Sequence, residues 1–240
     1  MNSMSLDRSH AGKRINALRM VGMFASFLFV SAYDGPQALA DGATSSNGAW
    51  VATHGISPDG AACAACHGAD GAGQPEVGIP RIAGLAPSYI DQQLEYFASG
   101  QRNNVVMKSY AAALDAQQRR AVAEYFAALS SPVAEDTAPV AQDTVERGQT
   151  LFLNGDARTG LVSCSQCHGP TGLGVGDFSP RLAGQSATYV KVQLEEWHGG
   201  APRDPKGVYM AAIAARLSPS DIEAVATYVA TLDPNKRAKP

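Results

Sequence analysis

Apolar residues along this chain recur at helical spacing, and no stretch alternates for long in the manner of a strand. Between Ser88 and Ser99, Ile90, Leu94 and Phe97 fall on one face, and Gly100 follows where a C-cap would stand. From Asp115 to Leu129, Val122, Tyr125, Phe126 and Leu129 make a second inward stripe. The same pattern returns from Thr188 to His198 and from Ser218 to Leu232. Ser218, Pro219 and Asp221 supply a cap, a first-turn proline and an acid three residues on. A shorter helix is expected before each such pair, most clearly from Val145 to Leu153. The fold class expected is all-α.

One run has a different character. Met20 to Ala32 is a short, mainly apolar run without charge, follows the basic Arg8, Lys13, Arg14 and Arg19, and precedes the small-x-small triplet Ala38-Leu39-Ala40. This is the layout of a secretory signal peptide over residues 1–40, with a mature chain starting at Asp41. The run is about 13 residues, short of the ~20 that a spanning helix needs, so no permanent membrane span is expected.

The helical pattern is duplicated. GIPRIAGLAPSYIDQQLEYFASGQR in the first half answers FSPRLAGQSATYVKVQLEEWHGGAPR in the second. Tyr89 matches Tyr189 and Leu94 matches Leu194, an offset of 100 in both cases, while Met107 matches Met210. Two copies are too few for a solenoid, so the expectation is a tandem pair of domains, 41–129 and 145–240, joined by a Pro-containing linker over 130–144.

Charge narrows the partners. Removing residues 1–40 takes four of 19 basic and two of 22 acidic residues, leaving 15 and 20, a formal charge of −5. Nucleic acid, which calls for a basic face, is not expected as a partner. An acidic chain favours partners with a basic docking patch.

The chemistry lies in two short runs, CAACHG at residues 63–68 and CSQCHG at 164–169. Cys63, Cys66, Cys164 and Cys167 are the chain's only cysteines. Each Cys-x-x-Cys-His run is the attachment signature of a c-type haem: two thiols add to the two vinyl groups of one porphyrin, and the next residue, His67 or His168, meets the iron. A disulfide scaffold would want a shorter, Cys-richer chain. A single zinc shared by pairs about a hundred residues apart is far from ribbon spacing. A thioredoxin-like motif would not be expected twice with His following each time. The reading is two covalently attached haem c groups, and export agrees with it, since such haems are attached outside the cytoplasm.

Outside residues 1–40 only two methionines remain, Met107 and Met210, at matched points about forty residues after each haem histidine and in the loop between the two helices of each half. Flanked by polar or irregular sequence, they read as sixth iron ligands rather than as core residues. His/Met ligation favours ferrous iron and leaves no open site for a substrate. His54 and His198 have no counterpart in the other repeat and read as surface or helix-end histidines. Pro80 and Pro180 lie 13 and 12 residues after the haem histidines, placed for a carbonyl to accept from the imidazole Nδ1. Arg81 and Arg181 follow as candidate partners for haem propionates.

Taken together, CAACHG and CSQCHG, PRIAG and PRLAGQ, the YIDQQLEYF and YVKVQLEEW helices, and Met107 and Met210 make the chain resemble the dihaem cytochrome c4 family, two class I cytochrome c domains in tandem, across nearly all of residues 50–232. The resemblance implies a periplasmic electron carrier, often feeding terminal oxidases from a quinol-side donor. It also implies two domains related by a pseudo-two-fold axis, with haems close enough for rapid exchange. Similar chains serve as electron-accepting subunits of periplasmic dehydrogenases, which is the first alternative; a dihaem peroxidase-type enzyme is the second, disfavoured by the paired methionines. One departure is visible: Leu85 stands where the second half has Gln185, so a polar contact of one half is expected to be missing from the other.

Overall fold

The computed structural model describes residues 47–56, 61–130, 140–177, 179–200 and 204–235; the proposed signal peptide lies outside them. In the first half, α1 (Gly48–His54) and a single turn α2 (Ala64–His67) lead through a 3-10 turn (Pro75–Val77) to α3 (Pro87–Ser99), α4 (Val105–Ala113) and α5 (Ala116–Ala128). The second half repeats the order with α6 (Gln142–Asn154), α7 (Ser165–His168), α8 (Ala187–His198), α9 (Val208–Ala214) and α10 (Pro219–Ala230). Among the described residues there is no sheet, only isolated bridges such as Gln74 with Ile79 and Asp156 with Leu161. All of them belong to one compact unit, Pro36–Pro240.

The helices end where local chemistry stops them. Gly100 closes α3 at φ 78°, a left-handed conformation that a Cβ would disfavour. Asp115 with Gln118 and Ser218 with Asp221 form reciprocal capping boxes at the starts of α5 and α10. Helix α6 begins at Gln142, so the last three residues of the expected linker are helical.

Each half has its own core. Ile90, Leu94, Phe97, Val122 and Phe126 gather in the first, with Tyr125 and Leu129 packed at its edge. Leu151, Phe152, Val190, Leu194, Ile222, Val225 and Val229 gather in the second. In each half the first helix crosses the last, α1 on α5 and α6 on α10. The crossings are glycine-dependent. A Cβ at Gly48 would lie 2.0 Å from the Ala121 carbonyl oxygen, and one at Gly148 would lie 2.0 Å from that of Ala224.

One expectation is corrected. Met107 and Met210 do not lie in loops; each is the third residue of a short helix, α4 or α9. Asn104 caps α4 by accepting from the Met107 N–H at 2.9 Å, and the alanine-rich continuations of both segments carry the helix on. Both elements are too short to show a clear apolar stripe, which is why the pattern reads as loop.

Candidate functional site

In each Cys-x-x-Cys-His run a single helical turn does the positioning. His67 N–H donates to the Cys63 carbonyl and His168 N–H to that of Cys164, both at 2.9 Å, so the first cysteine and the histidine share one helix face. Cys63 and Cys164 pack against the two cores, while Cys66 is half-buried and Cys167 exposed. Burial pushes the Cys63 thiol up from its ordinary value and Cys164 up to about 11. A redox dithiol needs the opposite, a thiol held low by its surroundings.

The histidines are then turned by a carbonyl. His67 Nδ1 lies 3.0 Å from the Pro80 oxygen, and His168 Nδ1 lies 2.8 Å from that of Pro180. A carbonyl only accepts, so Nδ1 carries the proton and Nε2 keeps its lone pair. Burial lowers both imidazole pKa values, opposed by these carbonyl bonds, which keeps the rings neutral as a metal ligand must be. The approach of the Pro-Arg segment depends on glycine. Gly73 at φ 81° and Gly174 at φ 83° lie so close to it that a Cβ would meet the Ile79 oxygen at 2.4 Å and the Ser179 oxygen at 2.7 Å.

These groups line one continuous cavity of about 710 Å³ that runs from one half to the other. Cys63, His67 and Met107 border it on one side and Cys164, Cys167, His168 and Met210 on the other. The remaining wall is mainly aliphatic and aromatic, including Leu94, Phe97, Leu194 and Val229. His54 and His198 do not border it: His54 stacks on Trp50 at 3.7 Å, and His198 is held by the Ala214 carbonyl at 2.9 Å.

The cavity suits a flat apolar group with anionic edges. Arg81 and Arg181 border it, and burial, then the like charge of Arg181, lowers the Arg81 guanidinium from its usual value. Arg181 gives one N–H to the Pro234 carbonyl at 3.2 Å, but its buried Nε has no hydrogen-bond partner among the described residues. Two neighbouring guanidinium groups at the cavity wall, one buried and one half-buried, favour an anion beside them, and haem propionates would supply it. The residues therefore fit haem: thiols for its vinyls, a neutral histidine and a methionine for its iron, arginines for its propionates.

Two side chains that sequence periodicity does not single out join the halves. The buried Gln185 amide accepts from the Arg81 N–H at 3.0 Å and donates to the Arg81 carbonyl at 2.9 Å. Its counterpart Leu85 instead packs against the first core. Arg102, buried between α3 and α8, donates to Gln93 Oε1 at 2.6 Å, Gln193 Oε1 at 2.7 Å and the Tyr189 hydroxyl at 3.0 Å, and lies 4.5 Å over the Phe97 ring. The one trace of this in the sequence is that Gln93 and Gln193 occupy matched positions in the repeat, beside apolar stripes.

Comparison with known proteins agrees with this geometry. The cytochrome c family model matches residues 59–130 and 145–233. The chain is 41% identical over 184 residues to the thiosulfate dehydrogenase electron acceptor of Thiomonas intermedia, covering 75% of this chain and 84% of that one. Its structure resembles that of cytochrome c4 from Pseudomonas stutzeri, with a TM-score of 0.63 and 30% identity, across 71% of this chain and 93% of that one. It also resembles the thiosulfate dehydrogenase of Marichromatium purpuratum, with a TM-score of 0.70 and 38% identity. There the match takes in 78% of this chain but only 40% of the other, so it spans well under half of that protein.

Proposed function

Because the chain belongs to the cytochrome c family, as a two-domain member of the cytochrome c4 kind, we propose that this dihaem electron carrier takes its electrons from a thiosulfate-oxidising dehydrogenase and passes them toward a terminal oxidase. Each covalently attached haem c supplies a one-electron couple. Cys63 and Cys66 hold the first and Cys164 and Cys167 the second. His67 with Met107 would hold the first iron, and His168 with Met210 the second. Held in this way, neither iron would offer an open site to a substrate, which favours a carrier over an enzyme.

The single observation that carries this reading is the cavity bordered by both Cys/His/Met sets: it supports two closed redox centres within one carrier. Its electron source is supported by the likeness to a thiosulfate dehydrogenase electron acceptor over 84% of that protein's length. A docking face is available beside each methionine, where Val105 and Val106, and Val208 and Tyr209, stand exposed. The likeness to cytochrome c4 favours a second reading, in which a quinol-side reductase is the donor. The periplasm is the proposed location, resting on the signal-like residues 1–40; among the described residues no helix is long and apolar enough to cross a membrane.

The test mixes the purified oxidised protein with a thiosulfate dehydrogenase and thiosulfate and follows reduction of both haems. Rapid, salt-sensitive reduction that needs the enzyme supports the reading. Reduction by a quinol-side reductase alone supports the second. Turnover of peroxide by the isolated chain overturns both in favour of an enzyme.

A further inference from the structure

The Pro80–Arg81 peptide unit is bonded at both ends, and the two bonds belong to different halves of the protein. At one end the Pro80 carbonyl accepts from His67 Nδ1 at 3.0 Å. At the other end the N–H of the same peptide, that of Arg81, donates to Gln185 Oε1 at 3.0 Å. The Gln185 Nε2 donates to the next carbonyl, that of Arg81, at 2.9 Å, so the amide grips this backbone on both sides. Gln185 is buried at 7% exposure and its oxygen also accepts from the Ser186 N–H at 3.2 Å, which fixes the side chain. The second half has the same histidine-to-carbonyl bond at Pro180, but Leu85 stands where a matching amide would have to reach it.

We propose that Gln185 is a positioning residue for the first haem: through the Pro80–Arg81 peptide it makes the redox behaviour of the first iron depend on the second domain. This rests on the reading of His67 as an iron ligand. The physics is that of a polarised hydrogen-bond chain. A peptide whose N–H is donated to a buried acceptor carries more negative charge on its oxygen, and neighbouring bonds strengthen one another. The Pro80 oxygen then draws harder on the Nδ1 proton of His67, and the imidazole becomes a more basic ligand. A more basic ligand favours ferric iron, so the Gln185 amide holds the first haem's potential down. The device acts on one haem only, because a leucine cannot accept a hydrogen bond. Two domains built from one repeat thereby acquire unequal electron affinities, which gives electrons a preferred direction between them. Separation of the domains would release the first haem from this control.

The experiment compares wild-type and Gln185→Leu protein, full chain with both haems, by potentiometric titration and by proton NMR of the reduced state. The first haem's midpoint is identified as the one that moves in Met107→Ala. The expected result is a first-haem midpoint shifted to higher potential, an upfield shift of the His67 Nδ1 proton, and an unmoved second haem. Equal shifts in both haems, the mark of a loosened interface, overturn the proposal, as does an unmoved first haem. Gln185→Met, which fills the same space without an acceptor amide, repeats the test if the leucine variant fails to fold. His67→Gly separates the two levels. If its first haem loses the low-spin spectrum, ligation stands, and an unmoved midpoint in Gln185→Leu removes the relay alone. If the low-spin spectrum survives, the ligation fails and the relay with it.

Discussion

The Arg102 guanidinium of the first half donates to the Tyr189 hydroxyl of the second at 3.0 Å, in a site where Arg102 is only 8% exposed. With its bonds to Gln93 and Gln193 it forms a fork across the two repeats. A buried cation without these partners would be costly, so the fork fixes the distance between the halves.

Arg102→Leu is therefore expected to cost about 3 kcal/mol, the scale of losing a buried charged network. Arg102→Lys is expected to recover little, since an ammonium cannot reach three acceptors with the geometry of a guanidinium. Guanidinium chloride unfolding of the haem-loaded protein checks both; a loss under about 1 kcal/mol in Arg102→Leu would show that the fork is dispensable.

The crossing glycines make a sharper claim. Replacing a helical glycine with alanine ordinarily stabilises by up to ~1 kcal/mol. At Gly48 and Gly148 the new Cβ meets a backbone oxygen at 2.0 Å, which cannot swing aside as a side chain would. The clash is expected to win, with a net loss of about 2 kcal/mol or more in each of Gly48→Ala and Gly148→Ala. Thermal unfolding of the two variants is the measurement, and a raised midpoint in either contradicts the crossing.

How much of this is legible in the sequence follows from how local each feature is. The long helices are written in it because Ile90, Leu94 and Phe97, or Ile222, Val225 and Val229, must share one face to be buried. The Cys-x-x-Cys-His runs are legible because the thiols and imidazole that one haem needs lie within a single turn. Helices α4 and α9 are not, since nine and seven residues carry too few turns to show a period, and their stability comes from packing on α3 and α8. The contacts of Arg102 leave only the faint mark of matched polar positions, Gln93 with Gln193, while Gln185 shows only as a break in the repeat, opposite Leu85, that does not name its partner. Each joins residues from different halves, 104 positions apart for Gln185 and Arg81, and pairing at that range imposes no spacing on the sequence.

Acid acts on the second half through a carboxylate cluster. Arg147 bonds Asp221 at 2.9 Å and Asp156 at 3.3 Å, and Arg158 bonds Asp156 at 2.8 Å. The Arg158 hydrogen bonds, then that of Arg147, hold the Asp156 carboxyl well below the usual carboxylate range. A folded-state pKa below the unfolded value of about 3.9 contributes stability that is present above that value and is lost as pH falls toward the depressed one. Asp156→Asn is expected to lower the thermal midpoint at pH 7. The gap from wild type should hold down to about pH 4 and close only in stronger acid. A gap independent of pH would mean that the side chain acts by shape rather than charge.

The two methionines are expected to differ in how firmly they are held. Met107 sits in a capped first turn: Asn104 accepts from the Met107 N–H at 2.9 Å. Met210 occupies the same third position of α9, but that helix starts from Gly207 with no side-chain cap. Removing a cap of this kind costs about 1 kcal/mol, close to a fivefold change in an equilibrium. Under the proposed ligation, Met107→Ala and Met210→Ala each abolish one of two ferric sulfur–iron bands at the red end of the visible spectrum and lower one midpoint, because the thioether favours ferrous iron. Asn104→Ala should keep both bands, yet let added imidazole displace the sulfur at the first haem several-fold more easily, with the second unchanged. Displacement titrations followed in the sulfur–iron band distinguish the outcomes. Equal weakening at both haems would show that the cap stabilises the fold at large, and no change would show that the Met107 turn is held by the core packing of Ala111 and Leu114 rather than by Asn104.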